Sequence, residues 1–240
     1  MKVVNAAFPF DSDDFRTWKE CARLLPHALL AAEYSEKAQV AQESTGRLLN
    51  QVGLYLAGRS ELIAARSAHE RALKIGEAAY GPDHPTVAIR LNNLGLVLRN
   101  LGDFAGARKC YERALKINEA AYGPDHPTVA IRLNNLGLVL TALGDLAGAR
   151  THYERALKID EAVYGRDHTD VAIDVNNLGS ALQELGDLEG ARKHYERALK
   201  IDEAAYGPDH PNVARDVNNL GGVLQDLGDL AGRESISSGR

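Results

Sequence analysis

The sequence predicts an all-α chain in which antiparallel helix hairpins stack in register as a solenoid, and three observations carry that expectation. The segment Val-Ala-Ile-Arg-Leu-Asn-Asn-Leu-Gly at Val87 returns at Val129 and, altered, at Val171 and Val213, a period of 42 residues. Leu91, Leu94, Gly95 and Leu98 recur at i, i+3, i+4 and i+7, one stripe of an amphipathic helix. Residues that start or stop helices fall at fixed offsets in each copy. A hairpin this short cannot bury both its faces, so each needs the next one stacked against it.

In chain order, residues 1–44 read as an N-terminal helical cap and linker. Ser12-Asp13-Asp14 is a helix N-terminus with acidic groups where the helix dipole favours them. Pro26 breaks or kinks the helix it sits in, so the reading for 13–36 is two short helices covering the first repeat. The repeats follow as 45–86, 87–128, 129–170 and 171–212, with a partial copy at 213–233 and a disordered tail at 234–240. Residues 87–128 and 129–170 differ at only 10 of 42 positions, which fixes the register, whereas 45–86 is a diverged version of the same unit.

Each unit begins with a helix A. The residue before its apolar stripe is Thr86, Thr128, Asp170 or Asn212, all side chains able to cap a free helical N–H. Gly102-Asp103, Gly144-Asp145, Gly186-Asp187 and Gly228-Asp229 supply a glycine that ends helix A and an aspartate that caps helix B. Ser60-Glu61 stands at that turn in the first unit, a weaker signal. Helix B runs from about Phe104 to Tyr122, with Ala107, Tyr111, Ala114 and Leu115 facing helix A; the small alanines let the axes approach to ~8–10 Å. Tyr111, Tyr153 and Tyr195 fall on that buried face, with His69 in their place in the first unit. Tyr80, Tyr122, Tyr164 and Tyr206 close helix B, and Gly123-Pro124-Asp125-His126-Pro127 stops it.

The Leu…Leu-Gly…Leu spacing of helix A and the Ala107…Tyr111…Ala114 spacing of helix B resemble tetratricopeptide repeats, whose unit is about 34 residues. The longer unit here extends helix B by about two turns and adds the Gly-Pro-Asp-His-Pro loop; it is similar to the repeats of kinesin light chains and of many bacterial signalling proteins. The resemblance covers 45–233 and implies a right-handed tetratricopeptide-repeat solenoid that serves as a scaffold, because the family is defined by its fold. In the leader, Val4-Asn5-Ala6-Ala7-Phe8-Pro9-Phe10, then Trp18 and Cys21-Ala22-Arg23-Leu24-Leu25-Pro26-His27-Ala28-Leu29, resemble the segment that joins the nucleotide-binding core of NB-ARC-type STAND ATPases to a tetratricopeptide sensor. That resemblance implies a sensor arm without its motor, since no Gly-Lys dipeptide, and hence no P-loop, occurs in the sequence.

Charge and composition narrow the function. Lys and Arg number 28 against 33 Asp and Glu, a net charge of −5, the wrong sign for a protein that neutralises a phosphate backbone. No stretch approaches the length of a membrane span, and the apolar run at the N-terminus is too short for a secretory signal, so the expected location is cytoplasmic. Cys21 and Cys110 build neither a disulfide framework nor a metal motif. Asp83-His84, Asp125-His126, Asp167-His168 and Asp209-His210 sit one per repeat, ~10 Å apart by helix stacking, whereas a zinc site needs its ligands within about 2.3 Å of one ion. They are therefore read as loop and capping residues, with no metal and no cofactor, and nothing in the sequence assembles a catalytic cluster.

The informative polar feature is the Asn-Asn pair of helix A: Asn92-Asn93, Asn134-Asn135, Asn176-Asn177 and Asn218-Asn219, with Asn50-Gln51 in the first unit. Asparagine is a poor mid-helix residue, so its recurrence needs a reason. The second member groups with Ile89, Leu96 and Asn100 on the face opposite the leucine stripe, the inner surface of a solenoid. In related tetratricopeptide domains an asparagine here holds the backbone of an extended peptide, a task suited to a group that both donates and accepts; the alternative is that the amides bond only to neighbouring helices. The expected groove comprises Gln51, Asn93, Leu96, Arg99, Asn100, Asn135, Leu138, Asn177, Glu184, Asn219 and Asp226. Residues 1–120 carry 16 basic and 14 acidic groups, and 121–240 carry 12 and 19, so acidic partner residues are expected near Arg90 and Arg99 and basic ones near Glu184 and Asp226. The partial last repeat exposes Val217, Leu220, Val223, Leu224 and Leu227, an expected homodimer contact. The function that follows is a non-catalytic scaffold for a protein or peptide; the alternative is a self-assembly module with no peptide ligand.

Overall fold

The computed structural model describes residues 2–9, 11–12 and 14–228. Among them every regular element is helical and no strand occurs. The chain forms two compact units, Met1–Gly123 and Pro124–Arg240. The first contains α1 (Lys2–Ala7), a 3-10 turn at Phe15–Thr17, α2 (Trp18–Ala38), α3 (Gln42–Gly58), α4 (Leu62–Tyr80), α5 (Pro85–Asn100) and α6 (Phe104–Tyr122). The second contains α7 (Pro127–Ala142), α8 (Leu146–Tyr164), α9 (Thr169–Glu184), α10 (Leu188–Tyr206) and α11 (Pro211–Asp226). Within each unit successive helices pack in antiparallel pairs, α3 on α4 and α5 on α6 in the first, α7 on α8 and α9 on α10 in the second, with α11 laid on α10. None of the described helices is long and apolar enough to cross a membrane. The residues expected to form a disordered tail, 234–240, lie outside the described part of the chain.

The turns explain the helix boundaries. Gly102, Gly144, Gly186 and Gly228 take φ between +73° and +86°, the left-handed conformation that costs glycine nothing. The next aspartate then caps helix B: Asp103, Asp145 and Asp187 accept from the backbone N–H of Gly106, Gly148 and Gly190 at 2.9, 3.0 and 3.0 Å. The first hairpin has the same turn with poorer chemistry, Ser60 at φ +61° and Glu61 without a capping bond.

The start of helix A differs from expectation. The cap is the histidine two residues earlier: Nδ1 of His84, His126, His168 and His210 accepts from the N–H of Thr86, Thr128, Asp170 and Asn212 at 3.1–3.2 Å. Proline favours this start in three of the four copies, while His168, followed by Thr169, takes the same extended conformation, φ −80° and ψ 148°, without it. At Pro85, Pro127 and Pro211 it occupies the first helical position, where its missing N–H is harmless, and holds the preceding histidine extended, with His84 at φ −79° and ψ 143°. Each of His84, His168 and His210 also stacks on the tyrosine that ends the preceding helix B, with centroids 4.9, 4.6 and 4.3 Å apart.

The hairpin core is built on a glycine beneath an aromatic ring. A Cβ at Gly95, Gly137 or Gly179 would lie 2.7, 2.5 or 2.9 Å from the Cε1 of Tyr111, Tyr153 or Tyr195, and at Gly53 it would lie 2.6 Å from the His69 ring. In the leader, Pro26 does not break the chain into two helices. It lies inside a single helix, α2, whose Cys21, Ala28 and Ala32 are wholly buried. Packing both halves of one face onto the first hairpin outweighs the ~3 kcal/mol of an interior proline. Phe8 joins the same core, Trp18 meets Tyr55 edge-on at 6.4 Å, and the buried Ser12 hydroxyl donates to the Gln51 carbonyl at 2.7 Å.

Candidate functional site

The A helices carry their asparagines in a ladder. Asn93 Nδ2 donates to Asn50 Oδ1 at 3.0 Å, and Asn219 Nδ2 donates to Asn176 Oδ1 at 2.8 Å, so the second amide of one A helix holds the first amide of the A helix before it. Both are paired to neighbouring helices in this way, which accounts for two otherwise unfavourable mid-helix residues. Between α7 and α9 the pattern changes. Asn134 Nδ2 donates to Asp174 Oδ1 at 2.5 Å, and its Oδ1, the atom that accepts in the other two rungs, has no partner.

A cleft of about 240 Å³ opens at this place, lined by Ile131, Asn134, Asn135 and Leu138 of α7, Asp160 and Tyr164 of α8, and Asp170, Ile173, Asp174 and Asn177 of α9. Ile131 and Ile173 stand exposed at its sides and Leu138 is more than a third exposed. At its base, Asp160 is 5% exposed and Asp174 is fully buried. Asp160 Oδ1 and Asp174 Oδ2 accept from no donor elsewhere in the chain, and the two carboxyl groups lie within hydrogen-bonding reach of each other. Burial, and then the neighbouring carboxyls, push Asp174 up to about 8; burial likewise pushes Asp160 up to about 6. At neutral pH one proton between the pair is the arrangement the chain itself supplies, because two like charges this close cannot both ionise.

Of the residues expected in the groove, the structure brings Asn135, Leu138 and Asn177 together in this cleft. Asn93 and Asn219 belong to the ladder, Leu96 and Arg99 are half-buried, and Asn100 and Glu184 are exposed at the ends of α5 and α9. Asp226 is exposed and accepts from Gln183 Nε2 at 2.6 Å. Gln51 is misplaced by the expectation: it is buried, its backbone and side-chain oxygens facing Ser12, because the leader covers that part of α3. Arg90 is likewise no landing point for an acidic partner. It is 3% exposed, donating from Nη1 to the Ala72 carbonyl at 2.8 Å with its guanidinium 5.8 Å from the Tyr80 centroid. The apolar stripe expected to pair two copies is also largely covered: Leu220, Val223 and Leu224 are buried and Val217 and Leu227 half-buried, since α11 turns the stripe onto α10.

Asp160 and Asp174 are the residues sequence reasoning missed. A signal existed, because two positions 14 apart change together through the repeats: Gly76 with Arg90, Asn118 with Arg132, Asp160 with Asp174, and Asp202 with Asp216. Elsewhere the perturbed groups do not resemble a reaction centre. Burial pushes the Cys110 thiol up to about 11 and raises that of Cys21, the reverse of an activated nucleophile. Burial holds His69 down to about 4, a neutral core imidazole.

Comparison with known proteins places this geometry. The tetratricopeptide repeat family model matches residues 44–105, 88–162, 133–203 and 170–231. Among solved structures, BtubC (BKLC) from P. vanneervenii is similar with a TM-score of 0.75 at 24% identity over 90% of this chain and 87% of that one. A kinesin light chain-type protein of nearly identical TPR-like repeats from Podosopora anserina gives 0.70 at 16% over 79% and 90%. The apo form of RapI gives 0.71 at 17% over 90% of this chain and 57% of that one. At these identities the likeness is one of fold. No curated protein matches the sequence.

Proposed function

Because the chain belongs to the tetratricopeptide repeat family, we propose that it is a non-catalytic scaffold which takes a peptide or protein segment on the amide-bearing face of its A helices. Protein–protein interaction is the role such repeats serve, and the cleft between α7 and α9 is the observation that supports a peptide ligand here. There exposed Ile131 and Ile173 offer apolar contact beside Asn135 and Asn177, whose amides both donate and accept, the pairing a peptide backbone needs. The finer reading is a sensor arm of a STAND-type signalling system. It is supported by the leader residues that resemble the NB-ARC linker and by their packing on α3 through Ser12, Trp18 and Phe8.

Peptide display on the whole chain tests the ligand. Peptides should be enriched, and the double substitution Asn135→Ala, Asn177→Ala should weaken them tenfold or more with the melting temperature nearly unchanged. Enriched peptides that bind the double variant as tightly as the wild type would place the binding surface elsewhere, and a chain that enriches nothing would leave no peptide ligand to propose.

A further inference from the structure

We propose that the cleft between α7 and α9 is a seat for a guanidinium, occupied by an arginine side chain of the partner protein. The proposal rests on the reading above, that this face binds a peptide, and names the chemistry of one of its contacts.

Within the two units a helix B meets the following helix A at three places. Between α4 and α5, Arg90 fills the junction; its guanidinium lies where a Cβ on Gly46 or Gly76 would stand, and beside the Tyr80 ring. Between α10 and α11 the junction holds two buried carboxyls, Asp202 and Asp216, and the chain supplies Arg215, whose Nη2 lies 3.4 Å from Asp202 Oδ2 and 2.9 Å from Asp216 Oδ1. Between α8 and α9 the same two positions are Asp160 and Asp174, yet the register of Arg90 is taken by Asp174 itself and that of Arg215 by Ile173. No lysine or arginine lines this cleft.

What is left is acidic and has room. The cleft has a volume of about 240 Å³. In both carboxyl junctions one oxygen of each carboxyl is buried with no donor outside the pair, Asp160 Oδ1 and Asp174 Oδ2 here and Asp202 Oδ1 and Asp216 Oδ2 there. The difference lies in the other oxygens: Arg215 reaches Asp202 Oδ2 and Asp216 Oδ1, whereas here Asp174 Oδ1 accepts from the neutral Asn134 amide and no cation meets the pair. Tyr164 stands in the register in which Tyr80 faces the Arg90 guanidinium. Asp170 adds a third carboxylate at the rim, with His168 Nδ1 3.6 Å from its Oδ2. A metal ion is not the matching occupant, since no three ligating side chains converge among the described residues. A guanidinium is: it is planar, weakly hydrated, donates in a fork to paired carboxylates, and lies well against an aromatic face, whereas an ammonium matches only the charge. The high proton affinity of the empty pair agrees with this, because the entering cation replaces the shared proton.

The test uses the whole chain and N-acetyl-arginine methylamide as probe, with its lysine and citrulline counterparts, followed by NMR of the Asn134, Asn135 and Asn177 side-chain amides. The arginine probe should shift these signals saturably and bind at least fivefold tighter than the lysine probe, while citrulline, the same shape without charge, leaves them unmoved. The isosteric changes Asp160→Asn and Asp174→Asn should each weaken arginine tenfold or more. Equal shifts from citrulline and arginine in the wild type, or undiminished arginine binding by both variants, would overturn the seat. Displayed peptides that bind this face without needing arginine, and equally well after Asp174→Asn, would also overturn it while leaving the scaffold reading intact. Arginine binding to a chain that captures no peptide would keep the seat and remove the peptide reading.

Discussion

At Gly137 the absence of a side chain is a packing decision. A Cβ there would approach Tyr153 Cε1 to 2.5 Å, and the ring is pinned in the core of its hairpin, 2% exposed. Alanine gains up to about 1 kcal/mol of helix propensity over glycine, but overpacking a close-packed core costs ~1–3 kcal/mol. Gly137→Ala should therefore lower stability in urea by about 1–2 kcal/mol. Gly221 occupies the same register in α11 with nothing described within 4 Å of the added carbon, so Gly221→Ala should raise stability by up to about 1 kcal/mol. A loss at Gly221 equal to that at Gly137 would show that the aromatic ring is not what the glycine serves.

At the level of single elements, helix starts and stops are where the repeats differ from one another. Ser60 carries the left-handed turn that glycine carries in the other hairpins, at a cost of ~1–2 kcal/mol for a residue with a Cβ. Ser60→Gly should raise the melting temperature by a gain of about 1 kcal/mol. The histidine caps invite a second substitution series. His168→Ala removes the acceptor for the Asp170 N–H and the stack on Tyr164, and should cost ~0.5–2 kcal/mol; His168→Asn restores the cap alone and should recover most of it. Hydrogen exchange in the first turn of α9 reads this directly, and equal protection in both variants would assign the start to the loop backbone instead.

Across the whole molecule the two units carry buried groups of opposite pH sense. In the first, His69 is neutral in the fold, its ordinary value of 6.5 lowered to about 4. Its unfolded form therefore binds more protons between those values, and stability contributed at neutral pH is lost as pH falls from about 6.5 to 4. In the second, Asp160 and Asp174 hold their protons to about 6 and about 8 against an ordinary 3.8, so the folded form binds more protons and stability is lost as pH rises through that range. Repeat stability is set by each repeat and its neighbours, so hydrogen exchange should show α3 and α4 loosening at pH 5 and α8 and α9 loosening at pH 8. Asp174→Asn should weaken the second response, leaving what burial of Asp160 contributes, and leave the first unchanged, which a uniform response along the chain would contradict.

The sequence by itself determined the helices, because a 42-residue period repeats the same apolar stripe and the same Gly-Asp turn and such signals are local: the expected helix B from Phe104 to Tyr122 is α6, residue for residue. It also marked the asparagine face, since amides in mid-helix stand out against propensity. Three-dimensional packing decided the rest. That Pro26 stays inside one helix, that Arg90 and Gln51 are buried, and that Asp174 takes the amide of Asn134 depend on which side chains meet across helices far apart in sequence. The paired change of Asp160 and Asp174 was visible as letters, but its meaning was not: only the packed junction shows the two carboxyls buried within hydrogen-bonding reach of each other, and burial is what gives a carboxyl pair its appetite for a proton or a cation.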